Sequence, residues 1–407
     1  YDFVWSATDG DWVDWMTTIP EYSIPRNTPF SNIIVPTRDS IRCTYVLDKL
    51  LLNNSHVLAV GGTGTGKTLN IVDKLMNNMP QEYIPNLLTF SARTSANQTQ
   101  DILDSKMEKR RKGVFGPPSG KKYVLFVDDL IMPQREKYLA QPPIELLRQW
   151  MDHEGWYERK PPCQFRKIVD VQFVGSMGPP GGGRNPVTNR YLRHFNFISF
   201  SELSNESLLR IFDMILTDFL QGFVKEVRDL STSVVEGTIK VYNMIREELL
   251  PTPSKSHYTF NLRDFAKVVQ GLMRADVNST SSAADFLSLW LHECTRVFSD
   301  RLVNNEDRAW FLNLQKQELQ SCCKLCYDEV VSTDRIIYGD YLIPGADPKV
   351  YKQVTDMERL VSVVEEYLED YNTENNAAMP LVMFLDAIEH VSRICRVIRL
   401  PLGNTLL

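Results

Sequence analysis

Eight residues constrain this chain more than any other feature: Gly61-Gly62-Thr63-Gly64-Thr65-Gly66-Lys67-Thr68. They fit the pattern GxxxxGK[ST]. They stand between an apolar run at 56–60, read as a buried strand, and a helical stretch at 67–76. Strand, glycine-rich turn and helix in that order make a cradle for an oxyanion. The glycines let successive backbone N–H groups curl inward. The helix N-terminus adds the positive end of its dipole. Lys67 is then placed to reach the β- and γ-phosphates of a nucleotide, and the Thr68 hydroxyl to hold Mg²⁺. A chance glycine-rich turn explains the glycines, but not the lysine, strand and helix together.

The surrounding pattern fits such a cradle. Apolar runs at 86–90, 123–127, 169–175 and 195–200 read as further strands, and 95–109, 144–153 and 188–193 as helices between them. Strands apolar on both faces, alternating with helices, argue a parallel α/β sheet. Upstream, 1–30 carries Trp5, Trp12 and Trp15 and reads as an arm or hairpin packed on a larger body. Residues 32–36 are a short strand-like run, and 37–52 have helical spacing. After residue 200 the stretches 205–220, 232–250, 261–273 and 283–303 are amphipathic helices, a second and all-helical domain. Residues 331–349 are irregular. Residues 350–371 and 381–398 are helical again, and an apolar strand start follows Pro401.

Three other motifs bear on chemistry. Val124-Leu125-Phe126-Val127-Asp128-Asp129 is an apolar strand ending in two acids. Asp128 suits Mg²⁺. Asp129 stands where a general base is expected, one methylene shorter than Glu. Next, Gly175 and Ser176 lead from a buried strand into Gly178-Pro179-Pro180-Gly181-Gly182-Gly183-Arg184-Asn185-Pro186, followed by Arg190, Arg193 and His194. Arginine there suits phosphate charge across a subunit seam, or else pairs with local acids. Third, Asn261 and Asp264 approach a capping box, which leaves Arg263 in the first helical turn, poorly placed for the dipole and so open to a ligand or partner.

Composition narrows the partners. The 407 residues are 43% hydrophobic and 24% charged, ordinary globular values that fit two or three domains. Forty-five Lys and Arg against 51 Asp and Glu give a net charge of −6, which argues against a general nucleic-acid binder. The stretch 110–122 is basic and rich in Gly and Pro, a loop or hairpin, and the cluster Lys109-Arg110-Arg111-Lys112 with Lys121-Lys122 reads as solvated rather than as a nucleic-acid or acidic-tail contact. No run of about 18 apolar residues predicts a membrane span. Seven scattered cysteines favour reduced thiols; Cys323 and Cys326 form a CxxC without a second pair, a weak zinc signal. A start at Tyr1 without a signal peptide reads as a piece of a longer protein.

With these residues in view, the chain resembles an AAA+ module of an axonemal (ciliary) dynein heavy chain, over essentially its whole length. The third module of the ring, followed by the start of the fourth, is the best match. The stretches that carry the resemblance are 61–68, 126–133 (FVDDLIMP), 140–153 (AQPPIELLRQWMDH), 178–186 (GPPGGGRNP) and 290–298 (WLHECTRVF). The resemblance implies an α/β AAA+ P-loop NTPase, a parallel sheet sandwiched by helices and followed by an all-α lid. It implies four parts: an extension at 1–30, the large nucleotide-binding subdomain at 31–200, the lid at 201–330, and at 331–407 the start of the next module, stopping before its own phosphate loop.

Roles follow residue by residue. Ile34, Val35 and Pro36 would pack on adenine. Gly61, Gly62, Thr63, Gly64, Thr65, Gly66, Lys67 and Thr68 would bind the phosphates of ATP or ADP, with Mg²⁺ on Thr68 and Asp128. Asp128 and Asp129 would be the Walker B acids. Arg263 would be the lid arginine directed at the phosphates. Arg193, or failing that Arg190, would be the finger directed into the preceding module. Implied partners are the neighbouring modules and, through the parent protein, microtubules and dynein intermediate and light chains, with neither nucleic acid nor membrane. The implied location is the cytoskeleton of the ciliary axoneme. Two departures stand out: Asp129 where a Glu is usual, and Gly178 where an Asn orients water. Each leaves binding intact and slows hydrolysis, a loss of about 10²–10⁴-fold per misplaced group. The resemblance thus implies a regulatory module of a minus-end-directed microtubule motor. The alternatives are a ring segment with permanently bound ADP or an independent remodelling ATPase.

Overall fold

The computed structural model describes residues 2–405 apart from 27, 180, 182–184, 334, 376 and 402. The chain divides into two compact units, Tyr1–Ser23 with Asn32–Ser207, and Ile24–Ser31 with Leu208–Leu407.

In chain order the first unit runs β1 (Phe3–Ser6), β2 (Asp11–Asp14), α1 (Arg38–Leu52), β3 (Val57–Gly61), α2 (Lys67–Asn77), β4 (Tyr83–Thr89), α3 (Ala96–Lys106), β5 (Glu108–Arg111), β6 (Val114–Gly116), β7 (Lys122–Asp128), α4 (Pro142–His153), β8 (Gly155–Tyr157), β9 (Phe165–Ile168), β10 (Val171–Met177), α5 (Asn189–Leu192) and β11 (Asn196–Phe200). The aromatic arm is an antiparallel hairpin in which Trp5 faces Trp12, ring centroids 5.7 Å apart. The strand-like run at 32–36 is not a strand. Phe30–Asn32 makes one 3-10 turn, and the run ends at Thr37, whose side chain caps α1 at Ser40 N. Its apolar character serves burial, with Val35 5% exposed, rather than pairing.

Five strands form the main sheet in the order β11-β3-β10-β7-β4, every neighbouring pair parallel. Alternate side chains leave its two faces. Val57, Ala59, Val124, Phe126 and Val174 pack with Cys43, Leu47 and Leu51 of α1 and Ile71 and Leu75 of α2. Leu58, Leu125, Val127 and Phe173 pack with Leu103 of α3 and Ile144, Leu147 and Trp150 of α4. This is the expected sheet between helical layers. β4 begins at Tyr83, earlier than the apolar run suggested, and includes Pro85. A proline lacks an N–H for the ladder, and β4 tolerates it as an edge strand.

A second, four-stranded sheet has the order β5-β6-β9-β8; β5 and β6 form an antiparallel hairpin that overlaps the stretch 110–122 read as a loop or hairpin, whereas β8 and β9 are not legible in the sequence. β8 and β9 are short, and most of their side chains are not buried. The basic segment supplies β5. Its Arg110 pairs with Asp170 and donates to the Pro117 carbonyl at 2.8 Å, so part of that charge is structural.

The second unit is mainly helical: α6 (Asn205–Phe219, beginning just before the unit boundary), α7 (Lys225–Arg228), α8 (Ser231–Glu248), α9 (Leu262–Leu272), α10 (Ala283–Cys294, continued by a π turn at Thr295–Ser299), α11 (Asn305–Cys323), α12 (Tyr327–Val330), β12 (Tyr338–Gly339), β13 (Lys352–Gln353), α13 (Met357–Glu374) and α14 (Leu385–Ile398). α11 lies within the expected helical lid but shows no clear helical periodicity in the sequence, because Gln315 interrupts its buried stripe of Phe311, Leu314 and Leu319. That amide is buried but satisfied, donating to Leu291 O at 3.0 Å and accepting from Thr295 Oγ1 at 3.2 Å. Among the described residues no helix is long and apolar enough to cross a membrane. The strand start expected after Pro401 falls where residues 402, 406 and 407 lie outside those described.

The pair His292-Glu293 is buried within this unit. Glu293 is fully buried and receives the Arg396 guanidinium, Nε at 3.0 Å, together with the Tyr351 hydroxyl at 3.0 Å. Arg274 stacks on Tyr351 at 3.7 Å from the ring centroid. Gly271 of α9 must stay small, because a Cβ there would meet Glu293 Oε2 at 1.8 Å. A buried carboxylate stripped of its cation is strongly unfavourable. Arg396→Met is therefore expected to destabilise the chain by about 3–5 kcal/mol, and Glu293→Gln added to it to restore most of that. Urea unfolding of wild type and the two variants measures this; equal midpoints for wild type and Arg396→Met would contradict it.

Candidate functional site

β3 carries the glycine-rich turn to the N-terminus of α2. Gly64 and Gly66 have φ of +82° and +77°, the left-handed conformation that the turn requires and glycine allows. Gly61 is needed for another reason: a Cβ there would lie 2.3 Å from the Phe200 carbonyl of β11. No side chain caps α2, so its first N–H groups stay available to an anion. Thr65 Oγ1 donates to Gly62 O at 3.1 Å, which shapes the turn. Lys67 Nζ folds over the loop onto the carbonyls of Gly61 at 2.8 Å and Gly62 at 2.6 Å, placing its charge beside that ring of amides.

The sheet order brings the acids to the loop. Asp128 ends β7, and Thr68 Oγ1 lies 3.1 Å from both of its carboxylate oxygens. A hydroxyl and a carboxylate on one point are hard oxygen donors, the set Mg²⁺ takes alongside phosphate oxygens. Asp129 N donates to Asp128 Oδ1 at 3.1 Å, and Asp129 itself is exposed with φ +52°. Among the described residues its carboxylate has no recorded partner, which leaves it available to water. Left-handed backbone favours Asp over longer side chains, a local reason for Asp where Glu is usual.

Sequence reading missed Ser176. It lies in β10, between β3 and β7, only 2% exposed, and its hydroxyl donates to Asp128 Oδ1. The available signal was its place near the end of a buried strand that had to run beside Asp128. Gly178 lies just past β10, outside the ladder. In the loop beyond, residues 180 and 182–184, Arg184 among them, lie outside the described set. Asn185 donates to Pro133 O at 3.1 Å, and Arg135 to Pro186 O at 2.6 Å, tying that loop to the segment after Asp129.

The remaining candidates are not all at this point. Val35 is buried, Ile34 and Pro36 half-buried, just before α1. Arg193 follows α5 and is engaged by Asp152 at 2.5 Å, while His194 meets the same carboxylate at 3.0 Å. The Arg193 hydrogen bond, with Arg148 beside it, holds Asp152 below the usual carboxylate range. Arg190 is exposed, and among the described residues it has no recorded partner. Arg263 belongs to the second unit, exposed in the first turn of α9, where Asn261 and Asp264 complete the anticipated capping box. Burial pushes the Cys323 thiol up to about 11, against a thiolate ligand at the CxxC. Among the described residues no group of three or more His, Cys, Asp or Glu is placed to hold a metal.

Known proteins place these features in one family. Residues 22–203 match the family model described as the P-loop containing dynein motor region, and residues 211–308 that of the dynein heavy chain ATPase lid domain. The chain is 50% identical over 408 residues to human dynein axonemal heavy chain 1, which covers 97% of this chain and 10% of that protein. It is 45% identical over 423 residues to mouse dynein axonemal heavy chain 3 (100% of this chain, 10% of that protein) and 42% identical over 427 residues to mouse dynein axonemal heavy chain 12 (100% and 14%). The chain thus spans only about a tenth of the length of the first two of these relatives.

His56, at the foot of β3, gives this unit a pH signature. Its Nδ1 accepts the Phe173 N–H at 3.0 Å, and burial with nearby His194 lowers its pKa from 6.5 to about 4. The unfolded chain takes up this proton first as pH falls, so stability declines between pH 6.5 and 4, by on the order of 3 kcal/mol. Thermal unfolding of wild type should lose more over that window than His56→Asn. Parallel pH profiles would contradict this.

Proposed function

Since this chain belongs to the axonemal dynein heavy-chain family, we propose that it is a regulatory nucleotide-binding AAA+ module of such a motor, binding ATP or ADP with Mg²⁺ and hydrolysing slowly or not at all. The observation that carries this reading is the Thr68 hydroxyl at 3.1 Å from Asp128, beside an uncapped helix N-terminus and Lys67. In this reading the backbone from Gly61 to Thr68 and Lys67 bind the phosphates, and Ile34, Val35 and Pro36 pack on the base. Thr68 and Asp128 would hold Mg²⁺, which neutralises phosphate charge when bound. Asp129 would orient or deprotonate water, poorly, because its carboxylate is one methylene short and Gly178 offers no side chain to help. Arg263 is the lid arginine of this reading. Arg193, anchored by Asp152, is its finger for the preceding module, with Arg190 the alternative.

The finer assignments belong to the same proposal: third module of the ring; parts at 1–30, 31–200, 201–330 and 331–407; contact with neighbouring modules; microtubules and intermediate and light chains as partners of the whole heavy chain; and the ciliary axoneme as its site of action. Nucleotide state here would gate the neighbouring modules and hence minus-end-directed motility. A second reading, a ring segment with permanently bound ADP, is favoured by Asp129 together with Gly178. It predicts nucleotide that does not exchange during a motor cycle.

Two measurements test the proposal. Lys67→Ala should weaken binding of a fluorescent nucleotide by about 100-fold, the cost of removing one desolvated charge partner; unchanged affinity would contradict it. In the intact heavy chain, Asp129→Glu with Gly178→Asn should raise turnover at this site about tenfold or more. No gain would show that hydrolysis is limited elsewhere.

A further inference from the structure

Between the phosphate-loop strand and the strand that ends in Asp128 runs a third strand, β10, and its residue at that level is Ser176. The register fixes this: Gly175 pairs with Val127 on one side, and Ser176 with Ala59 on the other. Ser176 is 2% exposed. Its hydroxyl donates to Asp128 Oδ1, and its carbonyl accepts Leu130 N at 3.0 Å. Among the described residues the Asp128 carboxylate therefore has three donors: the Ser176 and Thr68 hydroxyls and the Asp129 amide. Thr68 is itself a candidate metal ligand, and the Asp129 amide is local to the same turn. Ser176 is the donor that comes from a different strand and is held rigidly by the sheet.

We propose that Ser176 is a positioning residue of the magnesium site. Its hydroxyl fixes the Asp128 carboxylate in the rotamer that meets Thr68, and so sets how tightly the site holds Mg²⁺ with the nucleotide phosphates. This rests on the reading of the phosphate loop given above. Residues that orient a metal's ligands typically change its affinity 10–100-fold when removed. Ser176→Ala leaves the phosphate loop untouched and removes from Asp128 Oδ1 the donor held by another strand, leaving it the Thr68 hydroxyl and the Asp129 amide. A hydroxyl that merely fills the strand would affect folding alone and leave Mg²⁺ dependence where it was.

The test is a Mg²⁺ titration of mant-ADP binding to the 407-residue chain, with a parallel measurement in EDTA. Ser176→Ala should keep the Mg²⁺-free affinity within about twofold and raise the Mg²⁺ concentration for half-maximal tightening about tenfold. Ser176→Thr, which keeps the hydroxyl, should return it to near wild type. Should Ser176→Ala not fold, Ser176→Cys, a weak donor of similar volume, carries the same comparison. A folded Ser176→Ala or Ser176→Cys with wild-type Mg²⁺ dependence overturns the proposal. So does a loss of affinity equal with and without Mg²⁺. If wild type itself shows no tightening by Mg²⁺, the reading of the site as a magnesium–nucleotide site fails first, and this proposal with it.

Discussion

The structure of the first unit depends on one constraint: the carboxylate at the end of β7 must meet the hydroxyl at the start of α2. Those two elements are not neighbours. β10 lies between β7 and β3, and α2 begins only after a turn of five residues. The meeting is possible because all five strands are parallel and end on the same edge, so that their carboxyl ends share one crevice. Gly61 lets β11 pass close to the loop, and Gly64 and Gly66 supply the left-handed backbone. Each piece serves to bring Thr68 and Asp128 to 3.1 Å, around a cluster of N–H groups that favours an anion.

The second unit is organised by a different requirement. Beside its buried apolar side chains it encloses an ion pair, with Glu293 and Arg396 joined out of water and Tyr351, Arg274 and His292 arranged around them. Burial and the nearby Arg296 and Arg396 hold His292 well below its ordinary pKa, so its imidazole is neutral at neutral pH. Such a pair contributes little net stability over apolar residues of the same size, but it penalises any packing in which the partners do not meet. It joins α10 to α14, which are 103 positions apart in sequence at the contact.

Much of this was legible because the relevant signals are local. The phosphate loop is read from eight adjacent residues, and the strands around it are apolar on both faces, as a covered parallel sheet demands. The capping box at Asn261 needs only four residues. What was not legible depends on distant partners. The partner of Ser176 is 48 positions away, and a lone serine in an apolar strand carries no sign of it. Gln315 looks polar and breaks the helical stripe of α11, although it is buried. Residues 32–36 look like a strand because the sequence records burial, not pairing. The replacement of Glu by Asp at 129 was visible, but its left-handed backbone, which suits the shorter side chain, was not.

The central claim is that the Gly61–Thr68 loop holds a nucleotide. The most direct test is to denature the purified chain and identify by chromatography whatever is released, with Lys67→Ala prepared in parallel. The account predicts close to one ADP or ATP per chain from wild type and almost none from the variant. ATP in place of ADP would fit the weakening of hydrolysis attributed to Asp129 and Gly178. Wild-type chain that releases no nucleotide, and takes up none when ATP or ADP is added with Mg²⁺, would contradict it.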